Sequence, residues 1–365
     1  MNKRFLAGTA AALLAAVSFL PCRANAISAQ KAILVDGKTG RVLLERKADD
    51  KSLIASTTKI MTAIIICEQT NVLDRVRIPK EAVGIEGSSM YLLEGEILTI
   101  QELLYGLMLH SGNDAAMALA IYCGGTVEGF AGLMNDKARQ LEMTGSHFVN
   151  PNGLDHPEHY STARDLAILT AYAMENPIFA RTVATKTVTV GHRVLRNHNK
   201  LLWRVDGADG VKTGYTKAAG RILVSSALRD GRRLIAVTIN DGNDWKDHAT
   251  LLNDGFSRYS VRRLIEAGQK LGELAVIGGQ ADRVGIVAAK PFVLSVASGE
   301  NVTCQLSGQP FVYASVVRGA KGPDAYVLID GKVVGKVPTV YTDTVEQEIP
   351  QKKPSFWEKL FGGKQ

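Results

Sequence analysis

The sequence predicts an α/β (α+β) domain with an antiparallel sheet and a helical cluster, followed by a small all-β domain. Strand-like segments stand at both ends of residues 27–262, and helical segments lie between them. The connections between the predicted strands are short, as antiparallel pairing allows. Beyond about residue 270, only short strand-like segments and turn residues follow.

The elements of the first domain follow from their hydrophobic periodicity. Lys31 to Lys47 is predicted to be a hairpin with a glycine-containing turn. Thr57 to Glu68 has a helical pattern that is apolar on all sides, which is typical of a buried helix. Further helices are predicted at 100–109, 114–122, 127–141, 162–174 and 245–259, and strands at 187–190, 222–228 and 233–239.

The second domain is predicted over residues 268–345, and residues 346–365 are predicted to be a linker and tail. Its strands are expected near 275–277, 284–287, 292–296, 311–317, 326–330 and 332–337. Four apolar residues of the tail would share one face of a short helix beside lysines, as in an interfacial membrane anchor: Phe356, Trp357, Leu360 and Phe361. A frayed tail is the alternative.

The first 26 residues have the pattern of a secretory signal peptide. Lys3 and Arg4 precede an apolar stretch from Phe5 to Leu20, and Ala24-Asn25-Ala26 offers small residues for cleavage. A retained membrane anchor and a lipid on Cys22 are the alternatives. The sequence therefore predicts an exported protein.

The charge balance argues against a nucleic-acid partner. The formal charge of the whole chain is +7. The predicted signal peptide holds three basic residues and no acid, so its removal leaves +4. Such a small excess is no nucleic-acid signature. No later run approaches the roughly 18 apolar residues of a transmembrane helix.

No metal or cofactor is predicted. Cys67, Cys123 and Cys304 lack metal-ligand spacing, and the first two lie in apolar helical segments, where they are interpreted as core residues. A single disulfide is left open. His156 and His159 occupy a polar loop without a third ligand nearby in the sequence.

Ser56-Thr57-Thr58-Lys59 is the first candidate for chemistry. Residues three apart share a helix face, so Lys59 can reach the Ser56 hydroxyl. A serine hydroxyl needs a base to become a nucleophile, and burial would lower the pKa of Lys59 toward that role. The spacing alone is a weak signal, because Ser28-Ala29-Gln30-Lys31 has it too.

Two later motifs complete the set. Ser111-Gly112-Asn113 lies in a break between two predicted helices and offers a hydroxyl and an amide, although such residues also cap helices. Lys212-Thr213-Gly214 enters a strand, where lysine and hydroxyl can hold a carboxylate. Lys38-Thr39-Gly40 is the same tripeptide in a turn. His110, beside Ser111, is interpreted as a structural histidine. The three motifs in this order indicate a serine/lysine acyl-transfer enzyme.

With these motifs, residues 27–259 resemble the serine-type D-alanyl-D-alanine carboxypeptidases of the peptidase S11 family, which are low-molecular-weight penicillin-binding proteins of the penicillin-binding/β-lactamase-like fold. The segment after residue 270 resembles the C-terminal β domain of that family, and the tail resembles its membrane anchor. Further matching segments are Leu34-Val35-Asp36 with Gly40, Ala55 to Thr62, His110 to Ala115, Asn150 to Leu154 and Asp209 to Thr216.

The resemblance implies catalytic roles. Ser56 attacks the carbonyl between the last two D-alanines and forms an acyl-enzyme, with Lys59 as the general base. Ser111 relays a proton to the leaving D-alanine. The backbone N–H groups of Ser56 and Tyr215 form the oxyanion hole.

Substrate binding is implied in the same way. Asn113 hydrogen-bonds the substrate amide, Lys212 and Thr213 hold the terminal carboxylate, and Gly214 lets the substrate backbone come close. Two positions depart from some relatives. Tyr215 stands where they carry histidine, and Trp245-Lys246-Asp247-His248 stands where they carry a carboxylate-binding arginine.

The implied partners are peptidoglycan stem peptides ending in D-Ala-D-Ala and β-lactam antibiotics. The implied location is the outer face of the cytoplasmic membrane, the cell wall or the periplasm, with membrane contact through the tail. A serine β-lactamase is one alternative, although no class A deacylation acid is evident between Ser111 and Lys212. A non-catalytic wall-binding protein that uses its β domain is the other.

Overall fold

The protein is described by a computed structural model over residues 27–349. The predicted signal peptide lies outside these residues, as does the predicted anchor in the tail.

The first part of the chain alternates between a sheet and a helical cluster. Two strands come first, and six helices follow with one pair of short strands among them. A second pair of short strands, three long strands and a last helix complete this part. In chain order the elements are β1 Lys31–Asp36, β2 Val42–Arg46, α1 Lys59–Gln69, β3 Arg75–Arg77, β4 Ile97–Thr99, α2 Ile100–Leu109, α3 Asn113–Gly124, α4 Val127–Gln140, α5 Ala163–Met174, α6 Pro177–Ala184, β5 Thr187–Val190, β6 Arg193–Arg196, β7 Ala208–Thr216, β8 Gly220–Arg229, β9 Arg232–Ile239 and α7 Asp244–Arg258.

A five-stranded antiparallel sheet in the order β2-β1-β9-β8-β7 organises this part. Alternate side chains of a strand point to opposite faces. On β1, Ile33 packs into the core of the helical cluster, whereas Leu34 packs toward α7. The predicted antiparallel sheet with a helical cluster is therefore confirmed.

Helix α1 runs through the middle of the cluster, and its residues Lys59 to Cys67 are all buried. This confirms the expectation from its all-round apolar sequence. The chain enters α1 through a turn of 3₁₀-helix, Ala55–Thr58, so that Ser56 precedes the α-helix proper.

The remaining strands form the predicted all-β region. They build a four-stranded sheet, β15-β11-β12-β18, a three-stranded sheet, β14-β16-β17, and a strand pair, β10-β13. Their bounds are β10 Tyr259–Ile265, β11 Lys270–Ile277, β12 Arg283–Ala288, β13 Phe292–Ala297, β14 Val302–Leu306, β15 Phe311–Tyr313, β16 Ala325–Ile329, β17 Lys332–Val337 and β18 Thr339–Tyr341.

Several elements depart from the sequence prediction. Strands β3, β4, β6, β10, β14 and β18 and helix α6 were not predicted, and the predicted strand 311–317 ends at Tyr313. Strand β14 has two polar residues among five and pairs with β16 on one side only, so its hydrophobic pattern is weak. Helix α6 is short, and it depends on the Asn176 side chain, which caps its first turn, and on Pro177 at its start.

The three cysteines of the described residues differ in burial. Cys67 is buried, as expected of a core residue, Cys123 is half-buried, and Cys304 is exposed; these three are free thiols.

Within residues 27–349, no single helix is long and apolar enough to cross a membrane. Only α3 and α4 together pass the test of length and composition, as a pair of helices bent by 83°.

Candidate active site

Ser56 lies on the 3₁₀ turn between Ile54 and α1. The turn is tight, because Ala55 has a positive φ of 45° and Thr57 N–H donates to Ile54 O at 3.1 Å. Strand β7 passes close by: a methyl group added at Gly214 would lie 3.3 Å from Ser56 N. Glycine is therefore the residue that lets β7 approach the serine.

Lys59 is buried directly beneath Ser56. Its Nζ lies 3.0 Å from Ser56 Oγ, 2.7 Å from Asn113 Oδ1 and 2.6 Å from the Asn152 carbonyl oxygen. In the neutral amine, two N–H groups can donate to the oxygens of Asn113 and Asn152, which leaves the nitrogen lone pair directed at the serine hydroxyl.

The pKa of Lys59 lies well below its ordinary value. Burial is the main cause, and the nearby charge of Lys212 lowers the pKa further, whereas Asp114 opposes the shift. A neutral amine in contact with a serine hydroxyl can take its proton, so the pair is arranged for nucleophilic catalysis.

Ser111 lies in the break between α2 and α3, and Asn113 is the first residue of α3. Ser111 is buried and has a positive φ of 63°. Asn113 N–H donates to Ser88 O at 2.7 Å, and Asn113 Nδ2 donates to Glu86 O at 2.5 Å. The Asn113 side chain thus joins Lys59 to the loop before α2.

Lys212 is buried on β7, and burial lowers its pKa to about 7. Its Nζ donates to Thr213 O at 2.9 Å. Thr213 and Tyr215 point to the other face of the strand, and the Tyr215 side chain is exposed. Strand β7 therefore carries the Lys212 side chain on one face and the Thr213 hydroxyl on the opposite face.

A cleft of about 360 Å³ lies over these groups. Five of the predicted site residues line it directly, whereas Lys59, Asn113 and Lys212 lie behind its wall. The lining residues are Ser56, Ser88, Ser111, His198, Lys200, Thr213, Gly214, Tyr215, Arg221, Ile222, Asp244 and Trp245.

The two repeated motifs lie away from this cleft. Ser28 Oγ lies 2.8 Å from Asp241 Oδ1 and 2.9 Å from Asp247 Oδ2, whereas Lys31 Nζ donates to Ser52 Oγ at 2.6 Å, so Ser28 and Lys31 are not joined. Lys38-Thr39-Gly40 forms the turn between β1 and β2, held by Asp36 Oδ1, which accepts from the Thr39 N–H at 2.9 Å. Structural context, and not spacing, separates the motifs.

Arg221 was missed by the sequence prediction. It lies on β8 opposite Tyr215, and its side chain is 46% exposed in the cleft. Its guanidinium holds the buried Asp244 through both carboxylate oxygens, at 2.9 and 2.8 Å from Nη2. Arg221 therefore places a guanidinium at the end of the cleft next to α7, although α7 lacks the carboxylate-binding arginine that some relatives carry there.

The Asn152-Gly153 segment was also given no role from the sequence. Besides the Asn152 carbonyl on Lys59, Gly153 packs against the serine turn with a positive φ of 87°. A methyl group at Gly153 would lie 1.9 Å from Ala55 O. The only available signal was the match of 150–154 to the family.

His159 contacts Thr58 in the turn that carries Ser56, and its position is not that of a metal ligand. Val149 N–H donates to Nδ1, so Nε2 carries the proton and lies 2.7 Å from Thr58 Oγ1. Burial lowers the pKa of His159 to about 4. Among the described residues, no group of three or more His, Cys, Asp or Glu side chains is arranged to hold a metal ion.

The chain matches known proteins over both of its parts. The family model described as D-alanyl-D-alanine carboxypeptidase matches residues 20–243, and that described as penicillin-binding protein 5, C-terminal domain, matches 259–347. The D-alanyl-D-alanine carboxypeptidase DacC of Escherichia coli (strain K12) is 31% identical over 89% of this chain and 86% of its own length. DacF of Bacillus subtilis (strain 168) is 29% identical over 87% and 86%.

Solved structures agree with these matches. Penicillin binding protein 5 from Haemophilus influenzae has a TM-score of 0.75 at 28% identity and covers 88% of this chain and 98% of its own. The D-alanyl-D-alanine carboxypeptidase DacD from Francisella tularensis has a TM-score of 0.74 at 26% identity, covering 88% and 94%. The chain therefore belongs to the D-alanyl-D-alanine carboxypeptidase family of serine hydrolases, peptidase S11, with the two-part fold of penicillin-binding protein 5.

Proposed function

We propose that this enzyme removes the terminal D-alanine from peptidoglycan stem peptides through an acyl-enzyme on Ser56. The contact of 3.0 Å between Ser56 Oγ and the buried, low-pKa Lys59 carries the proposal. Lys59 takes the hydroxyl proton as Oγ attacks the carbonyl carbon between the two D-alanines. The backbone N–H groups of Ser56 and Tyr215 stabilise the oxyanion, at about 10²–10³ in rate for each donor.

Collapse of this intermediate breaks the peptide bond. Ser111, which lines the cleft with Ser56, passes its hydroxyl proton to the nitrogen of the leaving D-alanine and regains a proton from Lys59, which is then neutral again. Water then attacks the ester, Lys59 takes a proton from it, and that proton returns to Ser56 Oγ as the shortened peptide leaves. Asn113 positions Lys59, and its amide group is the candidate contact for the substrate amide.

The terminal carboxylate of the substrate would bind at Lys212, Thr213 and Arg221. Lys212 supplies positive charge from behind β7, Thr213 supplies a hydroxyl, and Arg221 supplies a guanidinium at the cleft surface. Two cations and a hydroxyl match a carboxylate, which a substrate with a blocked C-terminus lacks. Gly214 leaves room for the substrate backbone beside the strand.

The location and domain bounds belong to the same proposal. Residues 1–26 direct export, and 346–365 bring the enzyme to the membrane surface. The catalytic domain would end near Arg258 and not at residue 262, and the β domain would begin at Tyr259 and not at residue 268, because β10 pairs with β13. The enzyme would then work outside the cytoplasm, where β-lactams reach Ser56.

The experiment measures free D-alanine released from a peptide ending in D-Ala-D-Ala. Wild type is expected to release it and Ser56→Ala is expected to release none above background. Ser28→Ala, the serine of the repeated motif, is the matched control and should keep wild-type release. Equal release of D-alanine by wild type and Ser56→Ala would contradict the proposed mechanism.

A further inference from the structure

A second groove, of about 630 Å³, adjoins the catalytic cleft and shares His198 and Lys200 with it. We call it the basic groove. It is formed by β6, the loop after it and the 3₁₀ turn Lys200–Trp203. The residues that matter for its chemistry are Val194, Arg196, His198, Lys200, Trp203 and Arg204.

The cations of the basic groove are not neutralised by the protein. Among the described residues, Arg196, Lys200 and Arg204 have no ion-pair partner. Arg193, at the start of the same strand, differs, because it forms an ion pair with Glu96 at 2.6 Å. Unpaired cations that line a concave surface attract anions.

An aromatic surface lies among these charges. Trp203 is 43% exposed, and the Arg196 guanidinium lies 5.2 Å from its ring centroid. Lys186 Nζ lies 5.9 Å from the same ring. A flat apolar ring next to one guanidinium and one ammonium group suits a ligand with a flat apolar face and attached carboxylates or phosphates, because a guanidinium binds both anions through two hydrogen bonds.

In the proposed function, on which this step rests, the terminal carboxylate of the stem peptide binds at Lys212 and Thr213. His198 links the two cavities, lies close enough to Lys212 for its charge to lower the pKa of His198 after burial has done so, and its backbone N–H donates to Leu109 O at 3.1 Å. A peptide that ends at this carboxylate would end in the catalytic cleft, so the groove would take a separate molecule.

We propose that the basic groove binds an anionic polysaccharide, whose sugar ring packs on Trp203 and whose carboxylate or phosphate groups pair with Arg196, Arg204 and Lys200. Such binding would hold a wall polymer beside the leaving-group end of the catalytic cleft. The enzyme would then be enriched where its peptide substrates are attached.

Titration calorimetry with tetragalacturonic acid at low salt tests this proposal. The double variant Arg196→Gln/Arg204→Gln is expected to weaken binding at least about tenfold, as the loss of two charge-assisted contacts implies. Arg262→Gln/Arg318→Gln, with the same charge change on exposed arginines elsewhere, is the matched control and should bind as wild type does. Trp203→Ala should weaken binding without changing its salt dependence.

Other outcomes would overturn the proposal. Equal binding by the double variant and wild type, or no binding by wild type, would show that the basic groove is not a binding site for the sugar acid. Tetraglutamate binding as tightly as the sugar acid would assign the groove to a peptide instead. Because binding is measured without turnover and can be repeated on Ser56→Ala, its result is independent of the proposed chemistry. D-alanine release at the wild-type rate by the double variant would support a separate site.

Discussion

Lys59 and Lys212 are both buried at the active site, and the charge of Lys212 is one of the causes that keep the pKa of Lys59 well below its ordinary value. Two ammonium groups buried at one site disfavour the doubly charged state. In the proposed mechanism, Lys59 is therefore the neutral base, and Lys212 is the cation for the substrate carboxylate.

The pH dependence of the reaction should reveal Lys212. Burial lowers its pKa to about 7, so its charge is present below that pH and is lost above it. We expect kcat/KM for a D-Ala-D-Ala peptide to fall as pH rises through about 7, because the free enzyme loses the carboxylate-binding cation. A peptide with an amidated C-terminus is the control, since it has no carboxylate to lose. A decline of equal size with both substrates would contradict the role of Lys212.

Arg221 should contribute to substrate binding more than to chemistry. Arg221→Gln removes a charged donor that is partly exposed, so we expect a loss of about 5- to 20-fold in kcat/KM, mostly in KM. Arg229→Gln, at the far end of the same strand, is the control and should leave both constants unchanged. If kcat falls and KM stays the same, Arg221 does not bind the ground-state carboxylate.

Gly153 should be essential for the shape of the serine turn. Gly153→Ala places a methyl group 1.9 Å from Ala55 O at a positive φ, so the turn must move. Gly84→Ala is the matched control, because Gly84 has a similar φ of 73° and no atom within 4 Å of the added methyl. The control should lose roughly 1–2 kcal/mol of unfolding free energy from backbone strain alone.

Urea unfolding and the rate of penicillin acylation distinguish the two variants. Gly153→Ala should lose more stability than the control and should be acylated more slowly, whereas Gly84→Ala should keep the wild-type acylation rate. Equal effects of the two substitutions would show that Gly153 contributes only its backbone freedom.

The buried histidines should make the protein sensitive to acid. Burial lowers the pKa of His159 to about 4 and that of His248 to about 3, whereas both return to about 6.5 on unfolding. The unfolded chain therefore binds more protons below about pH 6.5. The stability that the neutral rings contribute is complete above that pH and is lost as pH falls toward 4 and then 3.

Between pH 7 and pH 4, each ring should account for about 3 kcal/mol of lost unfolding free energy. Urea unfolding between pH 7 and pH 4 measures the loss. His159→Gln should flatten the dependence, and His156→Gln, at an exposed histidine of the same loop, should not. An identical pH dependence in wild type and His159→Gln would contradict the burial argument.

The sequence predicts those parts of the site that local geometry determines. Ser56 and Lys59 meet because they are three positions apart at a helix start, and the Ser111 break follows from the end of one apolar helix and the start of another. The Asn152 carbonyl reaches Lys59 across 93 residues of sequence. No local pattern records such a contact, so it emerges only from the packed fold.

The same distinction applies to the fold. The core helix α1 and the hairpin of β8 and β9 have strong periodicity and were predicted. Strand β10 was not predicted, because its polar and apolar residues alternate poorly. It forms by pairing with β13, which begins more than thirty residues later in the sequence. Arg221 belongs to this group as well, since only the pairing of β7 with β8 brings it beside Tyr215.

The most direct test of the mechanism is mass spectrometry of the protein after treatment with penicillin. The mechanism predicts a long-lived covalent adduct on the peptide that contains Ser56, which is present in wild type and in Ser28→Ala and absent from Ser56→Ala. An adduct on another residue would contradict the assignment of the nucleophile. Rapid hydrolysis of penicillin without an accumulating adduct would instead favour a β-lactamase.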